Sequence, residues 1–582
     1  MKSTAKTRTT IHNDILKPVS LARLDVQGDL AVRSVMNYAR LEGKWYRPWE
    51  VFSADQHGWP ADWEGRIILA LVSQAQATHR PPAWLDQIID GVPGNFNTRG
   101  YYGVICQEGA SDEQQLAGHS WLLRGLIAHY EWKKDRRVLG WIEQILRNLV
   151  LPAKENYRRY PVCQADIANL QGWVLSKLQS KGKSHALSGD LGCGFIALDG
   201  VSDAYRLLRW PELKELAEVM IERFLKIDLE GLHVQTHATL SALRGIIRFA
   251  EVTGNTTHLA AACRIFDRYK AVAMTEHYGN YNWWGKPRWT EPCGIIDSYI
   301  IATWLWKLTG RVEYLEDAHH IYYNAATHAQ RTIGSFGTDF CLGAELAPHE
   351  PSVEYDSRMV QPRTYEVYWC CTMRGGEFFA RACESVFMTS GNTLVLPFYH
   401  NNTATVKLAG GTVQLRETTG YPYNGTVRLE VLAASRPKTT YTVKFYLPSW
   451  RKRRTVKLAV NGKPVATSLK DGFLVARTRL APGMVLSLDF GIKLHTEETL
   501  NANSTEGRFS FRHGPMILAV DYDMESEDAG PRSEAVSLTR DTELEYAGQG
   551  SWKVKGGDIV LSPLYRIDRL AKPNTRRQAL FG

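Results

Sequence analysis

The spacing of apolar residues changes character once along this chain, and that change limits the folds open to it. Up to about residue 390 they recur with a roughly 3.6-residue period. The helical segments fall near 22–40, 63–79, 113–131, 137–150, 166–179, 191–208, 211–227, 236–253, 257–272, 292–309, 312–330 and 373–390. Several open on start signals: Ser111-Asp112, Pro211 before ELKELAEVMIERFL, and Pro292 before CGIIDSYIIATWLW. Twelve helices in adjacent pairs predict hairpins arranged in a ring, an (α/α)6 toroid, whose loops at one end converge on a central pocket. After about residue 391 the runs are short, β-branched and separated by turns: TLVLPFY, TATVKL, GTVQLRE, GTVRLEVL, TTYTVKFYLP, RTVKLAV, FLVARTRL and VLSLDF. Asn461-Gly462 is a two-residue hairpin signal. Strand patterns resume at RFSFRHG and PMILAVDY. The fold class predicted is therefore a multidomain α plus β chain, a toroid followed by β-sandwich domains.

At 582 residues the chain exceeds what one hydrophobic core supports. The expected layout is a flexible N-terminus (1–20), a toroidal catalytic domain (21–390), a β-sandwich (391–495), and a second β domain with a basic tail (496–582). The net charge of +9 is spread out, with concentrations at Arg451–Arg454 and at Lys572, Arg576 and Arg577. That distribution reads as solvated surface rather than a nucleic-acid groove. No apolar run reaches the roughly 18–20 residues of a membrane span, and the N-terminus lacks a signal-peptide pattern. A cytoplasmic location is expected, where cysteine clusters point to metal or catalysis before disulfides. The aromatic cluster YNWWGKPRW, Tyr281 to Trp289, suits the apolar faces of sugars.

Two short stretches carry the chemistry. In TEPCGIID, Pro292 starts a helix and keeps Glu291 outside it, while Cys293 lies in the first turn. In YWCCTMRGGEFF, Cys370 and Cys371 end a segment, 331–369, that lacks clear periodicity; a loop of that length is functional or disordered. Singly, each cysteine also reads as a buried small hydrophobe, and Thr290 or Glu291 as a plain helix cap. Jointly, three thiols and one carboxylate at the pocket end make a four-ligand zinc set.

At these residues the chain resembles glycoside hydrolase family 127, the β-L-arabinofuranosidase-like family. Its Glu-x-Cys element and later Cys pair correspond to Glu291, Cys293, Cys370 and Cys371. Other motifs follow in the family's order: Gly118-His119, GVSDAYR, HVQTH with AEVTGN after it, TLVLPFY, TTGYPYNG, YLPSW and RHGPMILA. The resemblance implies zinc held by Glu291, Cys293, Cys370 and Cys371, with Cys370 as the nucleophile. It implies Glu276, in TEHYG, as acid/base, and His119 and His233 as partners of sugar hydroxyls. The implied activity is that of an exo-acting, retaining β-L-arabinofuranosidase or related sugar hydrolase acting on the terminal sugar of an oligosaccharide or glycoconjugate. Three departures bear on the sugar pocket: Thr372-Met373-Arg374 replaces prolines, Phe195 or its neighbours stand where a histidine is expected, and Thr338–Cys341 matches poorly. Two other readings remain open from the residues. One is an (α/α)6 enzyme of different chemistry, a two-carboxylate hydrolase, lyase or epimerase. The other is a non-catalytic carbohydrate-binding protein with a structural zinc.

Overall fold

The structure is a computed structural model. It describes residues 16–582 apart from 54–57, 170–172, 175–184, 287–289, 343–344, 349–365, 453–455, 500–506, 524–535 and 571–574. Arg453, Arg454, Lys572 and Pro287 to Trp289 therefore lie outside the described residues.

Twelve principal helices alternate between an outer and an inner layer among the described residues. The outer ones are α1 (Asp29–Leu41), α3 (Leu85–Gly91), α5 (Arg136–Ile145), α7 (Pro211–Phe224), α9 (Thr256–Val272) and α11 (Val312–Ile321). The inner ones are α2 (Asp62–Thr78), α4 (Glu113–Lys133), α6 (Ala197–Leu208), α8 (Thr236–Thr253), α10 (Pro292–Thr309) and α12 (Cys371–Glu384). Each inner helix packs on the next, and α12 packs back on α2, so the ring closes. Periodicity predicted the helices; only these contacts establish the closure. The inner helices Asp62–Thr78 and Pro292–Thr309 are buried nearly all round, as elements covered on every side must be.

Close backbone approach is built in at glycines. A Cβ on Gly65 of α2 would lie 2.1 Å from backbone atoms of Trp121 and Leu122 of α4. On Gly245 of α8 it would meet Leu198 of α6 at 2.6 Å.

One helix expectation is corrected. Segment 166–179 is not one continuous helix: among its described residues the helix Gln164–Ala168 ends before Asn169, and Trp173–Val174 pairs as a strand with His185–Ala186, while 170–172 and 175–179 lie outside the described residues. The twelfth ring position goes to the short α3 instead.

The sandwich forms as its alternating strands predict. One sheet is six-stranded and the other seven-stranded. Asn461 and Gly462 both take positive φ (49° and 76°) in the tight turn between Lys457–Val460 and Lys463–Pro464. The expectation of a flexible segment to residue 20 is corrected in part. Lys17–Pro18 pairs with Met388–Ser390 in one sheet, and Leu24–Val26 pairs with Asn402–Leu408 in the other. Residues 1–15 lie outside the described residues. The C-terminal sheet is nine-stranded, and two of its strands, Asp339–Leu342 and Glu345–Pro348, come from the long segment before Cys370.

Candidate functional site

The beginnings of four inner helices meet around one point. Pro292 takes the first position of α10 and leaves Glu291 extended at the N-cap (φ −126°, ψ 114°). Cys370 is the N-cap of α12 and Cys371 its first residue. The ligand atoms of Glu291, Cys293, Cys370 and Cys371 all lie within 4.8 Å of one another. Cys293 Sγ is 3.8 Å from Cys371 Sγ, which is 3.5 Å from Cys370 Sγ. Cys293 and Cys371 are fully enclosed, whereas Glu291 and Cys370 keep 6% and 7% of their surface.

Burial pushes the Glu291 carboxyl and the Cys371 thiol well up, and the Cys293 thiol up to about 11. Hydrogen bonds from Cys293 and Cys371 hold the Cys370 thiol below its ordinary value. Four acidic groups sharing one dry space suit a cation. Glu291 Oε2 is buried without a hydrogen-bond partner. Sulfur separations of 3.5 and 3.8 Å match the edges of about 3.8 Å that metal–sulfur bonds of about 2.3 Å give a tetrahedral ion such as zinc. These four side chains can thus hold a metal ion, and they fit zinc.

A shell of buried ion pairs fixes the ligands. Arg66 of α2 donates from Nη1 to Cys293 Sγ at 3.6 Å and from Nε to Asp62 at 2.7 Å. His237, in the first turn of α8, puts Nδ1 3.5 Å from Glu291 Oε1 and Nε2 3.6 Å from Asp297 Oδ2. Burial depresses its pKa to about 3, so the ring is neutral near pH 7. Asp297 also accepts from Arg244 at 2.6 Å, from Ser241 at 2.8 Å, and from Arg374. At the centre stands Trp121 of α4, with the guanidinium of Arg66 4.0 Å from its ring centroid, that of Arg374 at 4.7 Å, and His237 stacked at 6.0 Å.

The other predicted residues are placed less uniformly. Glu276 is half-buried in a turn closed by Thr275 N–H to Gly279 C=O at 3.0 Å. That turn leans on the C-terminal domain through Tyr278, which stacks on His320 of α11 at 4.6 Å and receives Arg512 Nη1 of the C-terminal domain at 2.6 Å. Burial works against the Arg512 charge, but Tyr278, Glu497 and Glu276 together hold its guanidinium above the usual range. His233 stands exposed on the loop before α8, its Nδ1 2.9 Å from the Trp284 carbonyl. His119 is not brought to the site. It lies about 200° round α4 from Trp121. Its Nε2 accepts from Tyr102 N–H at 3.0 Å and its Nδ1–H donates to Gln115 C=O at 2.7 Å. Sequence reasoning passed over His237, Arg66, Asp297 and Arg374. The i, i+4 pair Asp62–Arg66 in ADWEGR was the one signal that could have exposed part of this shell.

Residues 393–492 match the family model of the GH127 middle domain, described as a β-L-arabinofuranosidase domain. No curated protein sequence matches the chain. A GH127 β-arabinofuranosidase structure is similar at 13% identity and a TM-score of 0.68, with 98% of each chain covered. A glycoside hydrolase structure is similar at 14% and 0.68, with 99% of each covered. A GH127 β-L-arabinofuranosidase from Geobacillus stearothermophilus T6 is similar at 14% and 0.66, with 94% of each covered. At these identities the structural likeness shows the fold. Toroid, β-domains and matched middle domain together resemble one class of protein, the glycoside hydrolases. Within it, the resemblance to family 127 rests on the middle domain and on the shared full-length architecture.

No helix among the described residues is long and apolar enough to cross a membrane.

Proposed function

We propose that this protein is a retaining, exo-acting β-L-arabinofuranosidase, or a hydrolase of a closely related terminal sugar, that uses zinc, a cysteine nucleophile and a glutamate acid/base. The observation carrying this reading is the convergence of Glu291, Cys293, Cys370 and Cys371 within 4.8 Å, with Cys370 on the side that keeps contact with solvent. When bound there, zinc supplies the charge that keeps thiols deprotonated near neutral pH and fixes their sulfur atoms.

The chain's own groups then divide the work. Cys370 Sγ attacks the anomeric carbon, forming a carbon–sulfur bond as the carbon–oxygen bond to the leaving group breaks. Glu276, protonated, gives its proton to the leaving oxygen. In the second step Glu276 takes a proton from water, whose oxygen displaces Cys370 Sγ from the anomeric carbon. Two displacements return the original configuration, as in two-carboxylate retaining enzymes. Glu291, Cys293 and Cys371 act as ligands. His237 and Arg66 orient Glu291 and Cys293. His233, exposed on the loop before α8, is the candidate partner of a sugar hydroxyl.

The test is zinc quantification together with a panel of p-nitrophenyl furanosides and pyranosides on wild type, Cys370→Ser and Glu276→Gln. Stoichiometric zinc, furanoside cleavage with retention, and loss of turnover in both variants are expected. Full activity in Cys370→Ser would overturn the nucleophile, and full activity in Glu276→Gln would overturn the acid/base.

A further inference from the structure

Asp339 belongs to no motif, yet it joins the two halves of the site. It begins the strand Asp339–Leu342, which pairs with Glu345–Pro348, which in turn pairs with Thr575–Gln578. The sheet of the C-terminal domain thus runs to Asp339 and ends there against Thr290, the residue before Glu291. Thr290 N–H donates to Asp339 C=O at 2.9 Å, and Asp339 N–H donates back to Thr290 Oγ1 at 3.0 Å. This reciprocal pair holds the backbone extended just where Glu291 must stand outside α10.

The side chain of Asp339 reaches the other half. Its Oδ1 accepts from Arg331 at 2.9 Å, and its Oδ2 lies 3.1 Å from His328 Nδ1. The His328 ring meets that of His277 edge-on at 6.2 Å. His277 Nδ1 is 3.0 Å from Thr275 Oγ1, which also accepts from Gly279 N–H at 2.8 Å. These contacts shape the turn that carries Glu276. The Thr290 methyl closes the loop, since a Cβ on Gly279 would lie 3.1 Å from it. Asp339, Thr290, His277 and His328 are all at least nine-tenths buried, so these contacts are shielded from water and set geometry firmly.

We propose that Asp339 is a positioning residue, by which the C-terminal β-domain sets Glu291 through Thr290 and the Glu276 turn through His328 and His277. This rests on the reading of Glu291 as a metal ligand and Glu276 as the proton donor. The test uses Thr290→Val, which keeps the shape and removes the Oγ1 acceptor, Thr290→Ser, which restores it, and Asp339→Asn. Hydrogen exchange of metal-free protein is followed in peptides covering 290–296 and 302–309, and zinc affinity is measured by competition with a chromophoric chelator. In Thr290→Val the first peptide is expected to exchange faster while the second is unchanged, and zinc affinity to fall about 10-fold or more. Thr290→Ser should behave as wild type, and a general loss of stability would instead speed both peptides together. Wild-type exchange and zinc affinity in Thr290→Val would overturn the proposal, and this variant decides it even where Asp339→Asn fails to fold. Absence of zinc binding by wild type would overturn the metal reading, while the exchange measurement would still decide the role of Asp339.

Discussion

Arg66 Nη1 lies 3.6 Å from Cys293 Sγ, and the same guanidinium is paired with Asp62 one helical turn earlier. A buried arginine thus faces a fully buried sulfur, so the interaction is worth most when that sulfur is a thiolate.

Arg66→Met should therefore weaken metal binding by about 10- to 100-fold, the usual range for partners that orient metal ligands. Competition with a chelator measures it. Arg66→Lys should recover only part of the loss, because an ammonium cannot serve Asp62 and Cys293 with one planar fork. Unchanged affinity in Arg66→Met would show that Cys293 is held by the helix alone.

The contact between Arg512 and the Glu276 turn makes a prediction about pH. The Glu276 charge helps hold the Arg512 proton, so Arg512 reciprocally favours the ionised carboxylate. Removing it makes Glu276 keep its proton to higher pH. Arg512→Gln should move the alkaline limb of the kcat/KM profile upward; an unmoved limb would separate that limb from Glu276.

Buried neutral histidines predict acid sensitivity. Burial depresses His319 and His400 to about 3. His319 sits between the toroid and the sandwich, stacked on Phe398 at 3.9 Å, with Nδ1 2.9 Å from Tyr421 Oη and Nε2 2.9 Å from Pro397 C=O. Its folded value lies below the unfolded value of about 6.5, so its contribution is complete above that pH and is lost as pH falls towards 3. Between pH 7 and pH 5 each such histidine should cost on the order of 2 kcal/mol. Chemical denaturation at both pH values checks this, and His319→Gln should flatten the dependence by one histidine's share.

The ring depends on close helix crossings. In Gly65→Ala the new methyl would stand 2.1 Å from backbone atoms of α4 that have no freedom to rotate away. Overpacking of this kind costs about 1–3 kcal/mol or more. Thermal unfolding should show a clear drop in Tm, while the exposed Gly140, where a Cβ meets nothing within 4 Å, should tolerate alanine.

Much of the architecture was legible because it depends on local spacing. Eleven of the twelve ring helices coincide with apolar segments read from the sequence, and Asn461-Gly462 turns where its φ preference requires. At Trp173–Val174 the helix expectation failed because an apolar stripe does not fix a helix where the chain pairs as a strand. His119 misled because position on a helix does not say which face meets the cluster; two residues from Trp121, it packs on Tyr101 and Tyr102 instead.

By itself the sequence determined the helical and β halves, the turn at Pro292 that frees Glu291, and the four side chains competent to hold a metal ion. Those features follow from periodicity, backbone restriction and ligand chemistry, which act over a few residues. Only the tertiary structure decided that the ring closes from α12 to α2, that Arg66, His237 and Asp297 surround the cluster, and that the C-terminal sheet ends on Thr290. Such contacts join residues far apart in the chain. They are chosen by packing and by the demand that buried charges find partners, and no local pattern records either.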